Sequence, residues 1–304
     1  MILLRPRGWR QPRAGSALGR VAPVDRPTPP CKIVGVIPLS GNTRSQMRDS
    51  PSGPAMPVFF VALLVGVMGG AASVSAQSPN QLTAAERAQG WRLLFDGTTL
   101  RGWRGLGYDS VPSAHWTVAN GTIRKIPSGQ VAKMPDGQPA AGGDLMTDDT
   151  FRDFELSFEW RVTPGANSGV KYNVSEQFSL ANAANHAALG FEYQVLDDER
   201  HEDGKLPTHR SAGLYDLIAA NTAKRVKPVG EWNRSRVVFR GNHGEHWLNG
   251  AKVVEYDLGT VRMDSLLAAS KYRTIPGFGD RRAGHIVLQD HGDEVYFRSI
   301  KLRP

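Results

Sequence analysis

From Phe154 to Val162 the chain alternates without a break. Phe154, Leu156, Phe158, Trp160 and Val162 fall on one side, and Glu155, Ser157, Glu159 and Arg161 on the other. A period of two over nine residues predicts a half-buried strand of an antiparallel sheet. Shorter runs of the same kind recur at 91–95, 116–125, 169–174, 191–196, 236–240, 246–256, 285–289 and 295–302. Two Asn-Gly pairs, Asn120-Gly121 and Asn249-Gly250, sit between apolar runs and predict tight hairpins. Thr83 followed by Glu86 has the capping-box spacing, so a short N-terminal helix is expected ahead of the strands. Many short strands without intervening helices predict an all-β domain, a sandwich or a barrel. Two long connections, 126–142 and 175–189, are expected as loops that either line a site or are plain surface excursions.

The front of the chain reads differently. Residues 1–46 are rich in Arg and Pro and lack any period, so they are expected to be unstructured, an over-extended gene start. Residues 47–76 follow the order of a secretory signal peptide: Met47-Arg48, the apolar run 58–72, then Val74-Ser75-Ala76. The expectation is cleavage near Ala76, a periplasmic or secreted product, and contact with a membrane only during export. The run is short for a membrane span.

That division changes what the charge means. Nine basic and two acidic side chains lie within residues 1–76, so +7 of the +8 formal charge belongs there and about +1 remains for 77–304. The high isoelectric point therefore gives no case for a nucleic-acid partner. Cys31, the single cysteine, lies in the leader, which excludes disulfides and thiol chemistry from 77–304. Those 228 residues are enough for one large β domain with its own core.

Chemistry-bearing residues concentrate in Gly190-Phe191-Glu192-Tyr193-Gln194-Val195-Leu196-Asp197-Asp198. Alternation sends Phe191, Tyr193 and Val195 to the core and leaves Glu192 and Gln194 sharing the opposite face. Asp197 is out of phase and would join them only through a bulge. Either these groups form a site, or they are the wet face of a sheet. Asp197, Asp198, Glu199, Glu202 and Asp203 read as a solvated acidic loop. A second cluster, Gln289-Asp290-His291-Gly292, ends a strand, with Arg298 on the next. His291 flanked by Asp290 is a candidate general base, since imidazole is the side chain suited to proton transfer near neutral pH, against the plainer reading of a capped turn. Asn167 and Lys171, near and on one strand, and His209 and Tyr215 further along, offer the directional donors and acceptors that sugar hydroxyls need; each also has an ordinary structural reading. No HExxH, Gly-x-Ser-x-Gly or paired-cysteine motif is present.

Taken in order, Gly90-Trp91-Arg92-Leu93-Leu94-Phe95-Asp96-Gly97, Trp116-Thr117-Val118, Phe154-Glu155-Leu156, Glu159-Trp160-Arg161, Asn167-Ser168-Gly169, Glu192-Tyr193-Gln194, Glu231-Trp232-Asn233, Leu248-Asn249-Gly250 and Leu288-Gln289-Asp290-His291-Gly292 form a set. This set resembles the bacterial 3-keto-disaccharide hydrolase domain over about residues 88–302. The resemblance implies a concanavalin-like jelly roll of two antiparallel sheets, and a carbohydrate partner, a glycoside whose glucose unit carries a ketone at C3. It also implies a chemistry. A C3 ketone acidifies the C2 hydrogen, so a base can form an enolate, the C1 substituent leaves, and water adds. On that reading Glu192 and His291 serve as base and acid, while Gln194, Lys171 and Arg298 donate to the keto oxygen or hydroxyls. Asn167, Asp197, His209, Tyr215, Gln289 and Asp290 are the further substrate-binding candidates. A divalent cation could supply the electrophile instead. Two other readings stay open: a lectin-like binding module without catalysis, and a conventional glycosidase, which needs a second carboxylate near Glu192, with Asp197 as its local candidate.

Overall fold

In the computed structural model, residues 78–127, 129, 143–183 and 187–304 are described. The leader 1–46, the signal segment 47–76 and most of the loop 126–142 lie outside them. Thirteen strands follow among the described residues: β1 Arg92–Leu93, β2 Trp103–Gly105, β3 Trp116–Ala119, β4 Thr122–Lys125, β5 Leu145–Thr147, β6 Phe154–Val162, β7 Asn167–Val174, β8 Phe191–Leu196, β9 Asn233–Arg240, β10 His243–Leu248, β11 Ala251–Asp257, β12 His285–Leu288 and β13 Val295–Arg303.

They form two sheets. The larger has the order β11-β10-β9-β6-β13-β4-β3, with β1 also on β13, and the smaller has the order β2-β5-β12-β7-β8. Every pairing is antiparallel. The alternation of β6 works as read: its five apolar side chains are buried and meet Tyr172, Phe191, Tyr193 and Val195 of the smaller sheet in one core. Phe158 meets Tyr193 edge to face with centroids 5.3 Å apart. This is the two-sheet sandwich; the sheets do not close into a barrel. Both hairpins turn on Asn-Gly as expected, with positive φ at Asn120, Gly121, Asn249 and Gly250.

Helices are more frequent than the pattern suggested. The N-terminal α1, Ala84–Ala88, carries the full capping box from Thr83 and Glu86. Two more interrupt the strands. The helix α2, Glu176–Asn182, opens the segment read as the loop 175–189; α3, Val261–Ala269, follows β11. Each starts on a hydroxyl cap, Ser175 to the Phe178 N–H and Thr260 to the Met263 N–H. Helix α2 is held from outside as well: Arg104 makes a two-pronged bond to Glu176, which also accepts from the Gly107 N–H, and these bonds hold the Glu176 pKa down at about 2. Strands β2 and β5 were not read from the sequence, because three residues are too few to show a period. Among the described residues no helix is long and apolar enough to cross a membrane.

One irregularity sets the layout of the smaller sheet. Asn173 sits in the left-handed region at φ 55°, and the β12–β7 register slips beside it. Up to that point Val170 and Tyr172 face the core and Lys171 faces out. Beyond it Val174 leaves the main core and joins Leu106, Met146, Ala188 and Val287 in a separate apolar cluster. That cluster holds residue 188 against the outer face of the sheet.

The core also contains a polar chain. The Tyr256 hydroxyl donates to Tyr172 Oη (2.6 Å), the Tyr172 hydroxyl to His246 Nε2 (2.9 Å), and His246 Nδ1–H to the Ala212 carbonyl (3.1 Å). Burial lowers the His246 pKa from 6.5 to about 4. The unfolded chain therefore takes up this proton first as pH falls. Stability is expected to decline between pH 6.5 and about 4, by an amount on the order of 3 kcal/mol from this residue. Urea unfolding at stepped pH should show a shallower dependence across that window in His246→Gln than in the native chain.

Candidate functional site

Strand β8 has its aromatic side in the core, so Glu192 and Gln194 leave from the face of the smaller sheet that points away from the larger one. Across the ladder Lys171 is paired with Glu192 and Gly169 with Gln194. Glu192 lies back over Gly169: a Cβ at that position would come within 2.1 Å of Glu192 Oε1. The glycine is what lets the carboxylate fold down onto the sheet.

A cavity of about 140 Å³ opens there, lined by Asn167, Glu192, Gln194, Asp203, Tyr215, Lys271, Gln289 and His291. Three of its groups stand out chemically. Glu192 Oε1, Gln194 Oε1 and Gln289 Oε1 are buried oxygens without a hydrogen-bond partner. Their residues are 4%, 0% and 5% exposed. Buried polar atoms are nearly always satisfied, so three orphaned acceptors around one hollow point to a ligand rich in O–H donors.

Glu192 is the reactive candidate among them. Burial raises its pKa above the usual carboxylate value, and the nearby cations Lys171 and Lys271 pull it back only in part. Lys271 comes from the turn after α3 and places Nζ 4.2 Å from the Tyr215 ring centroid. Much of the residue's surface is exposed, but its ammonium is crowded enough by protein that its pKa is lowered. Among the described residues it has no carboxylate within ion-pair distance. Its turn is tied to the site by the bond from the Lys271 N–H to Asp216 Oδ2 (2.6 Å).

A second carboxylate, Asp203, lines the same cavity, and its oxygens are occupied. Oδ2 accepts from the Tyr215 hydroxyl (3.1 Å) and Asn167 Nδ2 (3.3 Å), and Oδ1 faces His209 Nδ1 at 3.4 Å. These partners, His209 first, hold its pKa at about 2. His209 bonds to Asp216 through Nε2 (3.0 Å) and lies against the Tyr215 ring, so it stands behind the cavity wall rather than in it. Gln194 turns its amide nitrogen to Asn167 Oδ1 (3.3 Å), leaving its oxygen as the open atom.

The structure thus brings together Glu192, Gln194, Asn167, Tyr215, Gln289 and His291, as the sequence pattern allowed. It separates four others. Lys171 is buried beside the cavity with its ammonium on the Ala188 carbonyl (3.1 Å) and 3.7 Å from Asp144, so Lys271 takes the cationic place instead. Asp197 gains no bulge: β8 ends at Leu196, and the Asp197 carboxylate bonds to the Gly165 N–H and Arg200. Asp290 turns away from His291 to pair with His115 (2.6 Å) and the buried Lys125 (2.8 Å). Arg298 lies on β13 in the larger sheet, paired with Glu159 and stacked over Trp232. Asp203, read as part of a solvated loop, and Lys271 are the residues that sequence reasoning missed.

His201, His291 and Asp293 each place one potential metal-ligand atom within 4.8 Å of the others at the edge of this cavity. The set suits a divalent cation in kind. His201 Nδ1, however, accepts from the Asp203 N–H (3.1 Å), which puts the ring proton on Nε2; a cation there would have to displace a proton or that bond. A larger cavity of about 410 Å³ beside α3 is lined by Tyr256, Arg262, Met263 and Leu266 among others, and none of the unpaired buried side-chain atoms lies on it.

Comparison with known proteins places the fold and the family. A family model described as the 3-keto-alpha-glucoside-1,2-lyase-like domain matches residues 90–303. A 3-keto-disaccharide hydrolase of Bacteroides thetaiotaomicron is 37% identical over 249 residues, 76% of this chain and 84% of the relative. A crystal structure from Parabacteroides distasonis, described as that of a candidate glycosyl hydrolase, is 28% identical with a TM-score of 0.63 and covers 74% of this chain and 99% of its own. Another from the same organism, described likewise, is 26% identical with a TM-score of 0.51, covering 70% and 98%.

The wall behind the cavity makes its own prediction. His209 lies between two carboxylates, and the Asp203 bond leads in raising its pKa above 6.5. Its imidazolium contributes stability that is complete below pH 6.5 and is lost as pH rises through the raised value. NMR titration of the ring should give an apparent pKa above 6.5, and Asp203→Asn should bring it down toward that value.

Proposed function

Because the chain belongs to the 3-keto-alpha-glucoside-1,2-lyase-like family, we propose that this carbohydrate-active enzyme cleaves the glycosidic bond of sugars oxidised at C3, by proton abstraction at C2. The observation that carries the reading is the meeting of a buried carboxylate of raised pKa, whose Oε1 has no partner, with an ammonium that has no carboxylate within ion-pair distance among the described residues, in a hollow edged by open acceptors.

Each group has work that fits its surroundings. Glu192 takes the C2 proton, a task for which a carboxylate made more basic by burial is suited. The electron pair moves into the C2–C3 bond and the keto oxygen becomes an enolate oxygen, which the Lys271 ammonium stabilises in a pocket of low dielectric. The enolate then expels the C1 substituent, which leaves with a proton from His291. Water adds at C1 of the resulting enone and gives a proton back to His291, C2 recovers its proton from Glu192, and the balance is hydrolysis; if the enone is released first, the elimination steps alone make a lyase. Gln194 Oε1 and Gln289 Oε1 accept from ring hydroxyls.

The conventional glycosidase reading is weaker in this geometry. It needs a second carboxylate free to attack or to activate water. Asp203 is near enough to line the cavity, but its oxygens already serve Tyr215, Asn167 and His209. A cation at His201, His291 and Asp293 would polarise a substrate oxygen when bound. The signal order in residues 47–76 supports action after export, in the periplasm or outside the cell.

The direct test is turnover of a 3-keto-glucoside against the matching unoxidised glucoside; cleavage of only the first is expected, and equal cleavage of both would refute the proposal. Glu192→Gln should lower kcat by about 10³-fold and Lys271→Met by about 10²-fold, each with its melting temperature close to that of the native chain. Gly169→Ala should act through Glu192, costing about 10²-fold in turnover by moving the carboxylate.

The pH profile follows from the two shifts. Activity should rise with pH through an apparent pKa above 4.5 as Glu192 ionises, and fall again, below pH 10.5, once the proton donors that the steps require, Lys271 among them, are deprotonated. The lower limb should vanish with the residual activity of Glu192→Gln.

A further inference from the structure

Lys171 and Glu192 are direct neighbours across the β7–β8 ladder, on the same face of the smaller sheet. Opposite charges in that relation attract and ordinarily join, since their Cβ atoms stand about 5 Å apart. Here no ion pair forms between them among the described residues, and Glu192 Oε1 has no hydrogen-bond partner. The two side chains depart in different directions. Glu192 folds over Gly169, two residues before Lys171 on β7. Lys171 gives its ammonium to the Ala188 carbonyl (3.1 Å) and approaches Asp144 Oδ2 (3.7 Å). Asp144 immediately precedes β5, and the order β5-β12-β7-β8 puts that strand on the side of β7 away from Glu192. A further cavity of about 170 Å³ adjoins the first here, and Lys171, Ala188, Glu192, Lys271 and Gln289 are in its lining, so the two residues border the same open space.

Lys171 is held by a carboxylate that cannot follow it. Asp144 is 3% exposed, and backbone groups occupy both its oxygens: Oδ1 accepts from the Asp290 N–H and Oδ2 from the Ala188 N–H, each at 2.8 Å. These bonds fasten the carboxylate to two separate segments of chain. The Ala188 carbonyl is a neutral acceptor, and an ionised acceptor holds an ammonium roughly twice as strongly. Without the charge at 144, the carboxylate of Glu192 becomes the stronger acceptor within reach of Lys171.

We propose that Asp144 is a positioning residue for the base: it holds the Lys171 ammonium back from Glu192 and so keeps that carboxylate open to substrate. The inference rests on the 3-keto-glycoside reading for the task of Glu192 and adds the residue that keeps it free. Asp144 acts on Glu192 through Lys171, so most of its effect must disappear when the lysine is absent.

The test is a double-mutant cycle of Asp144→Asn and Lys171→Met, read by NMR titration of the Glu192 carboxyl carbon and by turnover of a 3-keto-glucoside. The other groups that face Glu192 or share its cavity, Lys271, Tyr272, His291, Tyr215 and Asp203, are the same in all four chains. In the native background Asp144→Asn lets the ammonium onto Glu192; the apparent pKa of the carboxyl should fall by about 1 or more, and kcat/KM by about tenfold. In the Lys171→Met background the same substitution should move that pKa by less than about a third as much, with turnover restored to within about threefold of the native chain. A pKa change equal in both backgrounds is the direct effect of deleting one charge and would overturn the inference. So would a loss of turnover in Asp144→Asn that Lys171→Met does not restore, or no loss at all. Removing both partners of a buried ion pair perturbs a fold less than removing one. Should Asp144→Asn alone not fold, Lys171→Met and the double variant decide: each should keep turnover within about threefold, and a loss beyond about tenfold in either, with the melting temperature close to native, would overturn the inference. A native chain that turns over no 3-keto-glucoside would remove the reading of the site, and the titration cycle would still decide whether Asp144 holds Lys171 off Glu192.

Discussion

The structure depends on keeping a carboxylate dry. Removing an ionisable group from water is costly, and the chain does it at Glu192 without giving Oε1 a partner. What makes the arrangement tolerable is distributed. The aromatic side of β8 is locked into the sandwich core, the absence of a side chain at 169 leaves room for the carboxylate, and two lysines lie close enough to favour its charge. A residue with this much held against it is poised to change protonation state, which is the property that the proposed abstraction at C2 requires.

Behind the pocket is a layer of paired buried charges. Asp290 joins His115 and Lys125, and Asp144 accepts from the Asp290 and Ala188 N–H groups while facing Lys171. Desolvation raises the Asp144 pKa against these partners. Charged groups at such depth add little to net stability, because desolvation offsets most of their attraction. They do fix positions. Asp144 ties the strand end that carries Gln289 to the segment that carries Ala188, two walls of adjoining cavities on different elements.

How much of this was legible varies with the range of the interaction. The alternation in β6 and β8 is local, so the sandwich and the outward pairing of Glu192 with Gln194 could be read from residue order. The set of motifs carried the family. Asp203 and Lys271 could not be read in that way. Asp203 sits in a run of acids that looks solvated, and only the fold brings Tyr215, Asn167 and His209 around it. Lys271 lies in a turn far along the chain from β8 and reaches the site through the bond to Asp216. Arg298 shows the converse. Its strand alternates well, but nothing local tells which sheet β13 joins, and pairing with β6 sends Arg298 to Glu159 on the other side of the molecule. The helices α2 and α3 were missed because their caps, Ser175 and Thr260, are single hydroxyls without the acidic partner that marked α1.

The part of the wall formed by residues 203–210 is fastened largely by polar contacts, Asp203 to Asn167, Tyr215 and His209, His209 to Asp216, and Arg210 to the Gly204 carbonyl, while Ala212 and Leu214 beyond it are buried in the core. The sandwich beneath it is fastened by interlocked aromatic rings. The two kinds of fastening answer to different stresses, since salt acts on the first far more than on the second. A sample can therefore keep its full strand signal in circular dichroism and still be catalytically silent. Loss of turnover at high ionic strength would in that case report a loosened rim, reversible on exchange of buffer, and not a damaged fold.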